Sequence, residues 1–444
     1  MLAVFVPFIV AAQPNFVILF TDDQRFDAMG FRTPDLQTPN IDFLAGDGVV
    51  FDQAFATSPI CPSSRISLLT GLYERMHGYT FDQPLVDSDL LNYSFAKRLR
   101  DAGYRSGFVG KNGANFDQPR IDQQFDSFTP IDQSLIGSHY TDRMADAAVS
   151  FIEQTPRSQP LVLNVWFWAP HADTRIPEQF VPPKRFDGLY DPIVFPRPAT
   201  WGDDLFNGFP LFLQESLNRE QFGLWWANDV YDVMSRRYFA MITGLDDAVG
   251  RIVSALQANG RGQDTWIILA SDNGFFMGDR GFGGKWLGHD VSLRVPLIVH
   301  HADLLSRHHE SYIATLLDIA PTIIELAGLP PNCLSHGNSL SPALLNPVLL
   351  HSDRTFYIEH TYNPAPNRAE IPAYDGVRSE RWKYIVYTDH DFAELYDLAN
   401  DPDETFNLID SPDHSTVIEQ LEQQRRHLAA ALADKLFIAS FEAS

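Results

Sequence analysis

Continuous apolar runs alternate with amphipathic stretches over the first three quarters of the chain. After Asn15, the segment Phe16-Val-Ile-Leu-Phe20 has no polar position. A strand with one wet face would alternate, so this run predicts a strand buried on both faces of a parallel sheet. Tyr104–Val109, Leu161–Trp168, Trp266–Ala270 and Val295–His300 read as further strands. Between and around them, Arg65–Thr70 opens a helix, and residues 94–102, 141–154, 228–258 and 312–327 predict helices. Gly103 and Gly328 serve as stop signals. Residues 174–215 are rich in Pro, Gly and aromatics and have no clear period; they read as a long insertion, a lid or a substrate-binding wall. Beyond about residue 345 the pattern changes to short antiparallel strands, Phe356–His360, Tyr374–Arg378 and Trp382–Tyr387, followed by a helix over 414–435. The expected fold is therefore α/β: a large, mainly parallel sheet flanked by helices over 13–345. A smaller C-terminal α+β domain with an antiparallel sheet covers 346–444. No internal repeat or low-complexity segment breaks this plan.

The polar residues that follow the predicted strands attract attention, because open α/β sheets place their ligands beyond the carboxyl ends of the strands. Asp22-Asp23 follows the first strand, Gly110-Lys111 the second, His171 the third and Asp272-Asn273 the fourth. Four oxygen donors of this kind suit a hard cation, calcium first and magnesium second. Either pair alone reads more readily as a helix cap or turn than as a ligand pair; two pairs at strand ends bring the metal reading level with that one. Cys61 and Cys333 are the only cysteines, which is no disulfide framework. A single bridge between them is formally open, but the setting of Cys61 points to another use.

Composition narrows the classes. With 444 residues, 45% of them hydrophobic, the chain can bury a large core and a second, smaller one. The net charge of −24, from 57 acidic and 33 basic residues, excludes a nucleic-acid partner, whose phosphates would be repelled. A polyanionic substrate needs a local basic pocket or a salty medium. The scarcity of lysine, six residues, fits a salty habitat. The first twelve residues, MLAVFVPFIVAA, read either as the remnant of an export signal or as a buried strand; we expect export to the periplasm or beyond, with the cytoplasm as the alternative. No later apolar run is long and clean enough to span a bilayer, so no stable membrane insertion is expected.

Cys61 lies in Ser58-Pro-Ile-Cys61-Pro-Ser-Ser-Arg65-Ile-Ser-Leu-Leu-Thr-Gly71. On its own terms Cys61 reads as a buried structural thiol, with Arg65 and the helix behind it forming an anion-binding element. The segment closely resembles the signature of the sulfatases, formylglycine-dependent enzymes of the alkaline-phosphatase-like superfamily. The resemblance continues through Asn15–Asp23, Thr38–Asp42, Gly48–Phe55, Gly110-Lys111, Pro170-His171, Ser271–Gly274, Lys285, Ser292–Pro296 and the C-terminal blocks Glu394–Leu398 and Asp401–Leu408. It implies hydrolysis of a small-molecule or oligosaccharide sulfate ester. It implies that a maturing enzyme oxidises Cys61 to formylglycine, whose hydrated form attacks sulfur. It implies a metal bound by Asp22, Asp23, Asp272, Asn273 and residue 61. Arg65, Lys111 and Lys285 would clamp the transition state, and His171, or Lys285, would serve the leaving oxygen.

Two departures stand out. The family carries Pro or Ala where Ser63 stands, which bears on maturation. It carries Lys-x-His where this chain has Lys111-Asn-Gly113, so a histidine is missing; His77, His139 and His289 are the candidate substitutes. Trp201, Trp225 and Trp226 in and beyond the insertion read equally as sugar platforms and as core. The rival functions are a phosphonate monoester or phosphodiester hydrolase on the same scaffold and an inactive sulfatase-like binding protein.

Overall fold

The apolar run after Asn15 becomes β1 (Asn15–Thr21), buried at every position. The computed structural model describes residues 13–81, 85–134, 137–304, 308–345, 354–361 and 370–442. The strands that follow are β2 (Val49–Phe55), β3 (Arg105–Gly110), β4 (Ser127–Pro130), β5 (Leu161–Trp166) and β6 (Thr265–Ser271), then the short hairpin β7 (Phe276–Met277) and β8 (Gly283–Gly284), then β9 (Leu297–His300) and β10 (His308–Thr315). Eight of them form one sheet in the order β10-β2-β9-β6-β1-β5-β3-β4. β1 is central and runs parallel to β5 and β6. β9 is antiparallel to β2 and β6, so the sheet is mainly, not wholly, parallel.

The period-two alternation of β1 explains its lack of polar positions. Val17 and Leu19 face one layer with Met144 and Ala148 of the helix Tyr140–Gln154 and Leu245 of the helix Tyr231–Ala258. Phe16, Ile18 and Phe20 face the other, with Ile66 and Leu69 of the helix Cys61–Thr70 and Leu99 of the helix Phe95–Asp101. Both faces are covered, as a parallel sheet demands. The tail forms a second, antiparallel sheet, β11 (Phe356–His360), β12 (Tyr374–Arg378), β13 (Trp382–Tyr387) and β14 (Phe392–Asp397), in that order. The helix Ser415–Glu442 follows it.

Several expectations are corrected. The helix predicted over 312–327 begins late. Residues through Thr315 complete β10, which pairs with β2. A 3-10 turn, Leu316–Asp318, follows, and the α-helix spans only Ile319–Leu326. The break is a reciprocal cap between Thr315 and Asp318, which stops the strand and starts the helix locally. β2, β4 and β14 carry strands that the apolar pattern did not single out. The insertion is built from short helical turns, among them Lys184–Phe186, Asp203–Phe206 and Leu211–Gln214. The N-terminal segment read as an export signal, residues 1–12, lies outside the described residues, as do residues 346–353 at the expected domain border. Among the described residues no helix is long and apolar enough to cross a membrane.

Candidate active site

The register of the sheet builds the acidic half of the site. Thr21 pairs with Ser271 across β1 and β6, so the residues that follow each strand emerge side by side. The backbone N–H of Asp23 donates to Asp272 Oδ1 at 3.2 Å, and Asn273 Nδ2 donates to Asp23 Oδ1 at 2.7 Å. Tyr238, from the long helix, donates its hydroxyl to the Asp23 carbonyl at 2.7 Å. Ligand atoms of Asp22, Asp23, Cys61 and Asp272, all buried, lie within 4.8 Å of one another. Asn273 Oδ1 is buried with no hydrogen-bond partner. An orphaned amide oxygen beside three carboxylates is what a hard cation would satisfy.

The cationic half comes from three other elements. Cys61 is the first residue of the helix Cys61–Thr70, which Pro62 helps to start. Arg65 stands one turn along, on the same face. Its Nη2 lies 2.8 Å from both Asp22 Oδ2 and Asp272 Oδ2, and its Nε and Nη1 are buried without partners. Phe20 and Trp166 flank the guanidinium. Lys111 follows β3. Its N–H is held by the Trp166 carbonyl at 2.8 Å, and its Nζ bonds Asp22 and sits 4.6 Å from the centre of the Trp168 ring. Lys285 Nζ lies 2.6 Å from Cys61 Sγ and pairs with Asp23. His171 follows β5. Its Nδ1 is 2.6 Å from the Ala172 carbonyl, which only an N–H can approach so closely, so the neutral ring turns the Nε2 lone pair inward. Nε2 is 3.8 Å from Asp23 Oδ2, and His171 groups with Asp22 and Cys61 within 4.8 Å.

These charges set one another's protonation. Burial alone would raise the Asp22 carboxyl, but Lys111, His171, Arg65 and Lys285 together hold it well below the usual carboxylate range. Burial, then the charge of Asp22, pushes Asp272 up to about 6. The same two causes push the Cys61 thiol up, so the unmodified side chain is a neutral, weakly nucleophilic thiol. Burial and the neighbouring Lys111 push His171 down. Burial would lower Lys285, but Asp23 and the surrounding acids hold it charged.

All nine residues named from the sequence therefore meet in one pocket. The candidate substitutes for the missing histidine do not. His77 bonds Ser67 and the Tyr79 N–H, His139 caps a helix and reaches the Val181 carbonyl, and His289 is buried 3.5 Å from Glu394. Gly113 does reach the pocket: a Cβ there would stand 3.1 Å from Arg65 Cδ and 3.5 Å from Lys111 Cε. Trp225 and Trp226 are buried against Phe180 and Phe275, and Trp201 packs on Phe222 under Arg197; all three belong to the packing, not to a sugar platform. Cys61 and Cys333 are both free. Sequence reasoning missed Trp168, whose only signal is its place two residues before Pro170-His171. It missed Tyr238, which carries no signal beyond an aromatic in a helix, and Glu74. Glu74 is buried and accepts from the hydroxyls of Ser58 and Thr361, tying the Cys61 loop to the C-terminal sheet.

Balanced buried acids and cations beyond the carboxyl ends of a mainly parallel sheet make a pocket suited to an anionic ligand. The sulfatase family model matches residues 14–329, and a model described as N-sulphoglucosamine sulphohydrolase, C-terminal, matches residues 278–431. The chain belongs to the sulfatase family of sulfuric ester hydrolases. It is 26% identical to an N-acetylglucosamine-6-O-sulfatase of Bacteroides thetaiotaomicron, over 93% of this chain and 85% of the relative. It is 23% identical to an arylsulfatase of Clostridium perfringens, over 93% of each. A structure solved with its substrate D-glucosamine-2-N,6-O-disulfate shares the fold at a TM-score of 0.82, with 24% identity over 95% of this chain and 98% of that one. So does a phosphonate monoester hydrolase of Agrobacterium radiobacter, at a TM-score of 0.78 and 22% identity over 94% and 96%.

Proposed function

We propose that the protein hydrolyses sulfate monoesters of a sulfated carbohydrate. In this reading residue 61 is converted to formylglycine, and Asp22, Asp23, Asp272, Asn273 and residue 61 hold a divalent cation, calcium before magnesium. The observation that carries it is the position of Cys61: at the head of a helix, buried, between Lys285 at 2.6 Å and Asp22 at 3.4 Å. When present, the aldehyde hydrate and the cation supply an oxygen nucleophile and a Lewis acid for the sulfuryl group. A crowded set of carboxylates suits calcium, which tolerates irregular, water-poor coordination better than magnesium.

The chain's own groups do the rest. Arg65 presents two unpartnered N–H donors, Nε and Nη1, that suit sulfate oxygens. Lys111 and Lys285 offset the charge that builds up as the ester bond breaks. His171, with its proton fixed on Nδ1, can accept a proton at Nε2 from a hydroxyl at position 61, or return one to the leaving oxygen. It is the one histidine at the pocket among the described residues, so we assign it the work for which Gly113 has no side chain. Export and a formylglycine-generating partner complete the proposal.

The test is release of inorganic sulfate from 6-O-sulfated N-acetylglucosamine by protein matured in a host that converts the cysteine, with a phosphonate monoester and an aryl phosphodiester run alongside. We expect the sulfate ester to be preferred and Cys61→Ala to abolish turnover. Preference for the phosphorus esters would move the protein to the phosphonate class. Absence of turnover on all three by converted protein would make it a binding relative.

A further inference from the structure

We propose that the insertion forms an accessory subsite for a neighbouring, anionic sugar ring of an oligosaccharide substrate, with Lys184 and Arg237 as its anion contacts. This deepens the proposed function and rests on it. A cavity of about 380 Å3 opens between the segment ending at His139 and the segment 178–187, and Arg237 of the long helix closes it. A second cavity of about 320 Å3 shares Pro182, Asp187 and Arg237. Each is of the size that holds a small ligand of a few hundred Å3.

Both walls connect to the candidate active site. His139 is bonded to the Val181 carbonyl at 2.9 Å, which fixes the two walls together. The Asp173 N–H donates to the Gln179 carbonyl at 2.7 Å, so the loop that carries His171 runs directly into the 178–187 wall. Gln133, from the segment leading to His139, donates to the His171 carbonyl at 3.4 Å. The cavity is thus walled by the continuation of the loop that carries His171, and in this proposal a chain of sugars extends from the pocket past His171 toward it.

The lining has the chemistry of a charged pyranose. In a chain with a large excess of acid, cations are mostly paired; Arg185 is held by Asp142 and Asp247. Among the described residues Lys184 beside it and Arg237 form no ion pair, and the Arg237 side chain makes one hydrogen bond, to the Glu178 carbonyl at 3.1 Å. Such cations suit a sulfate or a uronate carboxylate. Glu178 and Asp187 are exposed carboxylates on the same cavity, suited to accept sugar hydroxyls, and Pro182 offers an apolar face to the ring carbons.

Binding is best read in Cys61→Ala protein, which cannot turn the ligand over. The probe is a defined tetrasaccharide of uronic acid alternating with 6-O-sulfated glucosamine, titrated calorimetrically. The controls are the same tetrasaccharide without sulfate and inorganic sulfate alone. Adding Lys184→Ala and Arg237→Gln should weaken the sulfated tetrasaccharide about tenfold, the scale of two solvent-screened charge contacts, and leave inorganic sulfate unchanged. In protein with Cys61 intact, the same pair should leave turnover of a small aryl sulfate unchanged, because that ester does not reach the cavity. An equal loss for the desulfated sugar assigns the contact to the carboxylate; a loss only for the sulfated one assigns it to sulfate. Unchanged affinity for both sugars, or no binding of either, overturns the proposal. Lys184→Ala alone, at an exposed position, gives the same reading if the double variant melts early. Because binding is scored without turnover, a failure of the sulfatase reading leaves this result interpretable.

Discussion

At the residue scale the site is a problem of buried charge. Asp22, Asp23 and Asp272 face Arg65, Lys111 and Lys285 in direct contact, and all six are buried; an unpaired member of such a set is costly. Two of the chain's six lysines are spent here. Lys285 is the more exposed to chemistry, because it touches the reacting position directly. Lys285→Ala should lower kcat about a hundredfold or more, the scale of one lost preorganised contact, with KM changed far less. Steady-state kinetics on a sulfate ester check this, with the melting temperature as the control for folding. Near-normal kcat in folded protein removes Lys285 from the mechanism.

At the element scale, register does the positioning. Gly110 closes β3 with φ 114°, and a Cβ there would stand 2.2 Å from the Trp166 carbonyl oxygen. Only glycine allows β3 to approach β5 so closely and still deliver Lys111. Gly110→Ala should cost about 2 kcal/mol or more, since both the backbone angle and the space are forbidden, and a urea melt measures it. The helix Cys61–Thr70 is tied to the next turn by His77 Nε2 on Ser67, 3.1 Å away, while His77 Nδ1 accepts the Tyr79 N–H. Burial, then His336, lowers this imidazole from 6.5 to about 3. Below pH 6.5 the unfolded chain takes up a proton that the folded chain refuses. Stability is therefore full above about 6.5 and falls as the pH drops toward 3. Between pH 6.5 and 5 this group accounts for a loss of up to about 2 kcal/mol, and His77→Gln should flatten that part of the profile; an unchanged slope would contradict the assignment. Of the strands that carry the site, β1 and β6 were legible as fully buried, almost unbroken apolar runs; β5 is interrupted only by the single Asn164, and β3 opens on Arg105-Ser106 and was legible from its apolar end, Phe108-Val109. β2 and β14 carry polar residues within the strand, as in Val49-Val-Phe-Asp-Gln-Ala-Phe55, and were missed for that reason. The residues of the pocket were legible because each follows a strand end or sits in the Cys61 segment. Tyr238 and Glu74 were not, because they act through contacts more than 200 residues apart in sequence, Tyr238 with Asp23 and Glu74 with Thr361, that no local pattern encodes.

At the scale of the whole molecule, the two sheets share packing as well as a site. Leu72, Tyr73 and Leu317 of the large domain pack with Tyr357, Val377 and Leu395 of the small one, next to the Glu74 link. A cation bound by β1 and β6 ends should therefore stabilise the whole assembly. Removing divalent ions with EDTA should lower the melting temperature, and calcium should restore it more fully than magnesium. At a hundredfold excess over Kd the gain is about 2.7 kcal/mol. Identical melting curves with and without EDTA would count against the metal. The proposed chemistry turns on what position 61 is in working enzyme. Mass spectrometry of the peptide spanning Cys61, taken from protein that releases sulfate, tests that directly. The predicted result is loss of sulfur and two hydrogens and gain of one oxygen, the aldehyde, in a fraction that tracks activity. Full activity in protein whose residue 61 is an unmodified thiol would contradict it.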